Sequence, residues 1–76
     1  MTTKAKPRYV LNKKALQHYL IDQDLTQADF AEILGISLSY FNELMNGRKS
    51  ISLNILFSIA EETAIDIYEL VIEVNE

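Results

Sequence analysis

Polar side chains between residues 37 and 46 are the groups in this sequence best suited to recognise another molecule. If the stretch is helical, its outward positions are mostly polar or short: Ser37, Ser39, Asn42, Glu43 and Asn46. Hydroxyl, amide and carboxylate groups on one face of a helix can exchange hydrogen bonds with the edges of DNA base pairs. These side chains are therefore suited to recognising a partner through hydrogen bonds.

No group of residues typical of catalysis or of a metal centre accompanies this polar face. The 76-residue sequence has no cysteine, and its single histidine, His18, has no second imidazole or thiol with which to share a metal ion. A glycine-rich phosphate loop is also absent from the sequence. We therefore expect a protein that is not an enzyme and needs neither a cofactor nor a metal.

The residues around the polar face meet the packing needs of two short helices joined by a tight turn. Ala31 is small enough for a close helix crossing, and Gly35 can adopt the positive φ of the turn without steric cost. The inward positions of both helices are apolar, at Phe30, Leu34, Ile36, Phe41 and Leu44. This pattern predicts a helix-turn-helix motif at residues 27–46.

Capping residues and apolar spacing predict five short helices, and thus an all-α orthogonal bundle. The expected N-caps are Asn12, Thr26, Ser37, Ser52 and Asp66. On the fourth helix the expected inward face comprises Leu53, Leu56, Phe57 and Ala60. The fifth helix is expected to run from Ile67 to about Val74.

Charge is distributed very unevenly along this single small domain. The net charge is −4, yet residues 1–14 hold five basic residues and no acid, whereas residues 51–76 hold six acids and no base. We expect residues 1–9 to form a basic flexible arm and residues 10–76 to form the helix-turn-helix domain. The arm would bring Lys4, Lys6 and Arg8 to a DNA backbone, or would be a solvated tail.

Short motifs in register along residues 11–72 identify a family. They are Leu25-Thr26-Gln27, Ala31, Gly35-Ile36-Ser37, Asn46-Gly47-Arg48 and Ile59-Ala60. With them the chain resembles the Cro/repressor (XRE-type, lambda-repressor-like) helix-turn-helix family. The resemblance implies a five-helix DNA-binding domain and sequence-specific transcriptional control. Two positions depart from the family pattern, since Thr63 replaces an apolar residue and Ala64 replaces a frequent glycine.

The resemblance also implies which residues contact DNA. The first motif helix would lie against the phosphate backbone, and the helix from Ser37 to Asn46 would enter the major groove. The implied phosphate contacts are Thr26, Gln27, Asn46, Arg48 and Lys49. The base-reading candidates are Leu38, Ser39, Asn42 and Glu43, although Leu38 could instead pack beside the cap.

Two hypotheses for function follow, and they belong to different classes. The first is a small cytoplasmic repressor that binds an operator-like palindrome of double-stranded DNA as a homodimer. Its dimer interface would be the apolar C-terminal helix, at Leu70, Val71 and Val74, unless that helix merely completes the monomer core. The second is a protein-interaction module, antirepressor-like or antitoxin-like, that binds another regulator or a toxin. The acidic C-terminal half and the apolar region of Leu38, Tyr40 and Met45 favour this alternative.

Overall fold

Five helices and a two-stranded antiparallel sheet make up the described part of the computed structural model, residues 8–74. In chain order the elements are β1 (Arg8–Leu11), α1 (Lys13–Asp22), α2 (Gln27–Leu34), α3 (Leu38–Met45), α4 (Leu53–Thr63), α5 (Ile67–Leu70) and β2 (Val71–Val74). The expected five-helix architecture is confirmed, with a small sheet added at the ends of the domain.

Every helix begins at its predicted N-cap. In each case the side-chain oxygen of the cap accepts a hydrogen bond from a backbone N–H of the first turn, at Asn12, Thr26, Ser37, Ser52 and Asp66. These bonds satisfy donors that have no partner within the helix. Residues close in sequence therefore fix where each helix starts.

Aromatic packing joins the first three helices. The rings of Phe30 on α2 and Phe41 on α3 lie 5.8 Å apart between centroids, and both side chains are fully buried. Tyr19 on α1 meets Phe30 edge-on at 5.9 Å. Ala31 is also buried, as expected for a close crossing of α2 with its neighbours. The core thus sets the angle between the two helices of the motif.

The prediction of a long fifth helix is wrong. Helix α5 ends at Leu70, and the chain continues as β2, which pairs antiparallel with β1 from Arg8↔Val74 to Leu11↔Val71. Val71, Ile72 and Val74 are β-branched, and such side chains favour extended backbone when a neighbouring strand is present. The prediction of a flexible arm through residue 9 is wrong in its last two residues, because Arg8 and Tyr9 belong to β1.

The inward face of α4 also differs from the prediction. Its buried residues are Leu56, Ile59 and Thr63, whereas Leu53 and Phe57 are 67% and 51% exposed. The buried positions follow one narrow stripe at helical spacing, and Leu53 and Phe57 lie outside it. Leu53 and Phe57 of α4 are therefore two of the large apolar side chains on the surface of the monomer.

The junction between α4 and α5 accommodates both departures from the family pattern. The buried Thr63 hydroxyl donates to the carbonyl oxygen of Ile59 at 2.8 Å and accepts from the N–H of Ile65 at 3.1 Å. Its polarity is therefore satisfied locally. Ala64 caps α4 in the left-handed region, with φ of 60°, where glycine carries no side-chain penalty.

Replacing Ala64 with glycine should stabilise the domain. The left-handed conformation costs an L-residue about 1–2 kcal/mol, and the greater freedom of glycine in the unfolded chain cancels about 0.5–1 kcal/mol of that gain. We expect Ala64→Gly to raise the free energy of unfolding in urea by up to about 1 kcal/mol.

The matched control is the reverse exchange at Gly35, which caps α2 with φ of 75°. A Cβ added at Gly35 would meet no atom beyond its immediate neighbours within 4 Å. Gly35→Ala should therefore destabilise by roughly 1 kcal/mol, from backbone strain alone. A loss of stability in Ala64→Gly would contradict the assignment of strain to the α4 cap.

Candidate nucleic-acid interface

The N-terminus of α2 carries the predicted phosphate contacts Thr26 and Gln27. A complete capping box closes it, since Thr26 Oγ1 accepts from the Asp29 N–H and Asp29 Oδ2 accepts from the Thr26 N–H, each at 3.0 Å. The hydrogen bond from the Thr26 N–H, and after it the side chain of Thr26, lower the pKa of the Asp29 carboxyl below its usual value of 3.8. Asp29 is thus anionic at neutral pH. Gln27, the residue after the cap, is half-buried.

The turn after α2 fixes the direction of α3. Gly35 is left-handed and its N–H bonds back to Glu32, while the Ile36 N–H donates to the Ala31 carbonyl at 3.0 Å. Ser37 then caps α3 by accepting from the Tyr40 N–H at 3.0 Å. A single residue, Ile36, separates the C-cap of α2 from the N-cap of α3, which leaves little freedom in the angle between the two helices.

The four base-reading candidates share one face of α3. Leu38, Ser39 and Asn42 are exposed and Glu43 is half-buried. Their spacing places them one turn apart along the same side of the helix. The opposite side is buried, at Phe41, Leu44 and Met45. Contact with bases stays a prediction for all four residues.

The loop of residues 46–51 contains the other predicted phosphate contacts. Asn46 ends α3, Gly47 takes a left-handed conformation with φ of 72°, and the Arg48 N–H donates to the Glu43 carbonyl at 3.0 Å. The side chains of Asn46, Arg48 and Lys49 are all exposed. The loop therefore presents two positive charges directly after the candidate reading helix.

Lys49 joins the loop to α3. Its ammonium group lies 3.5 Å from Glu43 Oε1 and 5.8 Å from the centroid of the Tyr40 ring. Both side chains of the ion pair are partly exposed, so the pair adds little to stability. Its consequence is electrostatic, because Lys49 offsets the negative charge that Glu43 would bring to a phosphate backbone.

Three hydrogen bonds connect the same loop to the N-terminal part of the fold. Arg8 Nη2 donates to the Gly47 carbonyl at 3.0 Å, the Ile51 N–H donates to the Tyr9 carbonyl at 3.1 Å, and Lys13 Nζ donates to Asn46 Oδ1 at 3.3 Å. Sequence reasoning placed Arg8 in a flexible arm and missed this arrangement. The other arm residues named for DNA contact, Lys4 and Lys6, lie outside the described residues.

The residues predicted for the dimer interface and for binding another protein differ in their exposure. Leu70 is fully buried in the core of one chain, so this residue cannot reach a second copy in this fold. Val71 and Val74 are half-buried on β2. In the apolar region proposed for binding another protein, Met45 is buried and Tyr40 is half-buried, whereas Leu38 is 43% exposed.

The described residues hold neither a side-chain cluster typical of a metal centre nor a helix typical of a membrane span. Between residues 8 and 74 no three His, Cys, Asp or Glu side chains are arranged to hold a metal ion. Within the same range no helix has both the length and the apolar character needed to cross a membrane.

Comparison with known proteins identifies relatives of this arrangement. Residues 16–70 match the family model HTH_3, described as helix-turn-helix. A curated relative is the propionyl-CoA carboxylase regulator of Cereibacter sphaeroides, 34% identical over 55 residues. The match covers 72% of this chain and 12% of the relative, so the chain spans about an eighth of that protein's length.

Two solved structures share the fold. The transcriptional regulator VanUg superposes with a TM-score of 0.69 at 26% identity, covering 100% of this chain and 96% of that one. The clp gene regulator ClgR from C. glutamicum superposes with a TM-score of 0.62 at 28% identity, covering 75% of this chain and 74% of that one.

Proposed function

This chain belongs to the helix-turn-helix (HTH_3) family of DNA-binding transcriptional regulators, which are not enzymes, and we propose that it is a small homodimeric repressor. In this proposal α3 reads an operator-like palindrome of double-stranded DNA through the major groove, and the N-terminus of α2 and the 46–51 loop bind phosphates. Acting on DNA, the protein would work in the cytoplasm. The observation that carries the proposal is an exposed polar face on α3 that continues into the positive charges of Arg48 and Lys49.

The distribution of charge supports this orientation. DNA is a dense line of negative charge, so an acidic protein must meet it with a locally basic surface. Lys13 and Arg8 bond directly to the 46–51 loop, which adds their charges to those of Arg48 and Lys49. The acids of the later elements are on α4, α5, their junction and β2: Glu61, Glu62, Asp66, Glu69 and Glu73.

Substitutions should separate phosphate binding from base reading. Arg48→Ala removes a phosphate contact and should weaken binding to operator and unrelated duplexes alike, lowering the slope of log K against log salt by about 0.9. Asn42→Ala should weaken binding to the selected operator by about 1–3 kcal/mol and leave binding to unrelated duplexes unchanged. Fluorescence anisotropy on both duplexes over a salt series measures each effect.

The operator for this experiment comes from selection of random palindromic duplexes with the wild-type protein. Lys14→Ala is the matched control, because Lys14 is an exposed base beside Ile65 and Glu69, not on the 46–51 loop. Failure to select any sequence, or equal losses on both duplexes in Asn42→Ala, would contradict base reading by α3.

The basic segment before β1 is proposed to extend the phosphate contacts. Arg8 donates a hydrogen bond to the Gly47 carbonyl, so the first described residue lies against the loop that carries Arg48. Deleting residues 1–7 removes Lys4 and Lys6 while leaving β1 whole. We expect a lower salt slope of DNA binding and an unchanged free energy of unfolding. An unchanged salt slope would identify the segment as a solvated tail.

The proposed dimer joins the surfaces around β2. A groove of about 360 Å³ lies between β1, α4, α5 and β2, lined by Tyr9, Ile51, Leu53, Leu56, Ile67, Tyr68 and Val71. Tyr68 is 84% exposed at this same groove. A prominent aromatic side chain and an apolar groove on one face are self-complementary, which is what a two-fold symmetric interface requires. Val71 and Val74 belong to this proposed interface through β2.

Light scattering should therefore give a mass near twice the 8.7 kDa of one chain at tens of micromolar. Tyr68→Ser should shift the protein toward monomer and weaken binding to a two-half-site operator, without unfolding the domain. Ile21→Ser is the matched control, since Ile21 on α1 is also an apolar side chain and is 76% exposed. A monomeric wild type would contradict the dimer.

A further inference from the structure

The segment from β1 to the start of α1 holds the 46–51 loop at three separate points. Arg8 is hydrogen-bonded to Gly47, Tyr9 to Ile51 and Lys13 to Asn46, and these contacts join residues that are 33 to 42 positions apart in sequence. Two of the three contacts come from residues of β1, which lies near the loop because it pairs with β2. The placement of the loop thus depends on the sheet.

Of these three contacts, the one made by Arg8 is both charged and part-buried. Its side chain is half-buried, and a charged guanidinium donating to a carbonyl is stronger than a neutral hydrogen bond. The acceptor is Gly47, whose left-handed backbone directs the chain from the end of α3 toward Arg48. A bond at this carbonyl therefore fixes the peptide from which the Arg48 side chain projects.

We infer that Arg8 is a positioning residue, which orders the 46–51 loop so that Arg48 meets a phosphate, and is not itself a phosphate ligand. The inference rests on the proposed DNA binding. An ordered loop loses less conformational entropy when it binds, so Arg8 raises affinity through Arg48.

A double-mutant cycle tests this assignment. Arg8→Met is made in the wild type and in Arg48→Ala, and binding to a non-specific duplex is measured over a salt series that begins at low salt. If Arg8 acts through Arg48, Arg8→Met should weaken binding about fivefold in the wild type and less than about twofold in Arg48→Ala. Equal losses in both backgrounds, with a salt slope lowered by about 0.9 in each, would make Arg8 a direct phosphate ligand and overturn the inference.

Lys14→Met is the control for loss of charge, because it removes the same charge near the same end of the chain without touching the loop. It should change affinity by the same small factor in both backgrounds. Lys14→Met could instead weaken DNA binding in the wild type and have no effect in the Arg48→Ala background. That result would show that the coupling is a general effect of charge, and it would overturn the positioning role.

Amide hydrogen exchange provides a second readout that needs no DNA. Arg8→Met should speed exchange at Arg48 and Ile51, which donate to Glu43 and Tyr9, while exchange at Phe41 in α3 stays unchanged. Unchanged exchange in the loop would overturn the inference. If the wild type binds no duplex, the proposed function fails, and this measurement still decides whether Arg8 orders the loop.

Discussion

The packing of Phe30 against Phe41 is the contact on which the rest of this small domain depends. Both rings are fully buried, and they fix α2 against α3 across the left-handed turn at Gly35. Because buried aromatic rings fill well-defined positions in a close-packed core, a change of volume at either site would rotate one helix against the other. The packing of Phe41 on the inward face of α3 therefore sets the direction in which the outward face of the helix points.

A second constraint comes from the sheet, which joins the two ends of the described chain. The Asn12 N–H donates to the Leu70 carbonyl at 2.7 Å, and β1 and β2 pair on from that point. A two-stranded sheet is marginal by itself in water, so its stability depends on packing against the helices. The sheet also keeps β1 beside the 46–51 loop. The C-terminal strand is thereby coupled to the candidate DNA surface, although residues 71–74 contribute no side chain to it.

The parts of the fold that sequence reasoning predicted are local, and the parts that it missed are not. N-caps such as Thr26 and the glycine turn at Gly35 depend on residues three or four positions away, so their spacing identifies them. The β1–β2 pairing joins residues about sixty positions apart, and the apolar spacing of Val71, Ile72 and Val74 also fits a helix. The contact of Arg8 with Gly47 follows from that pairing, which is why no local pattern could have indicated it.

The electrostatics of the candidate interface resolve how an acidic chain could approach a polyanion. The net charge of −4 is a sum over the whole chain. In the proposed complex only one side of the domain would face DNA, so the charge of that side matters more than the sum. On α3 the carboxylate of Glu43 would repel phosphate, yet Lys49 lies 3.5 Å away and offsets it. In the proposed complex, Glu43 would therefore stay on the reading face, where its carboxylate would accept a hydrogen bond from a cytosine amino group, at a smaller electrostatic cost in affinity.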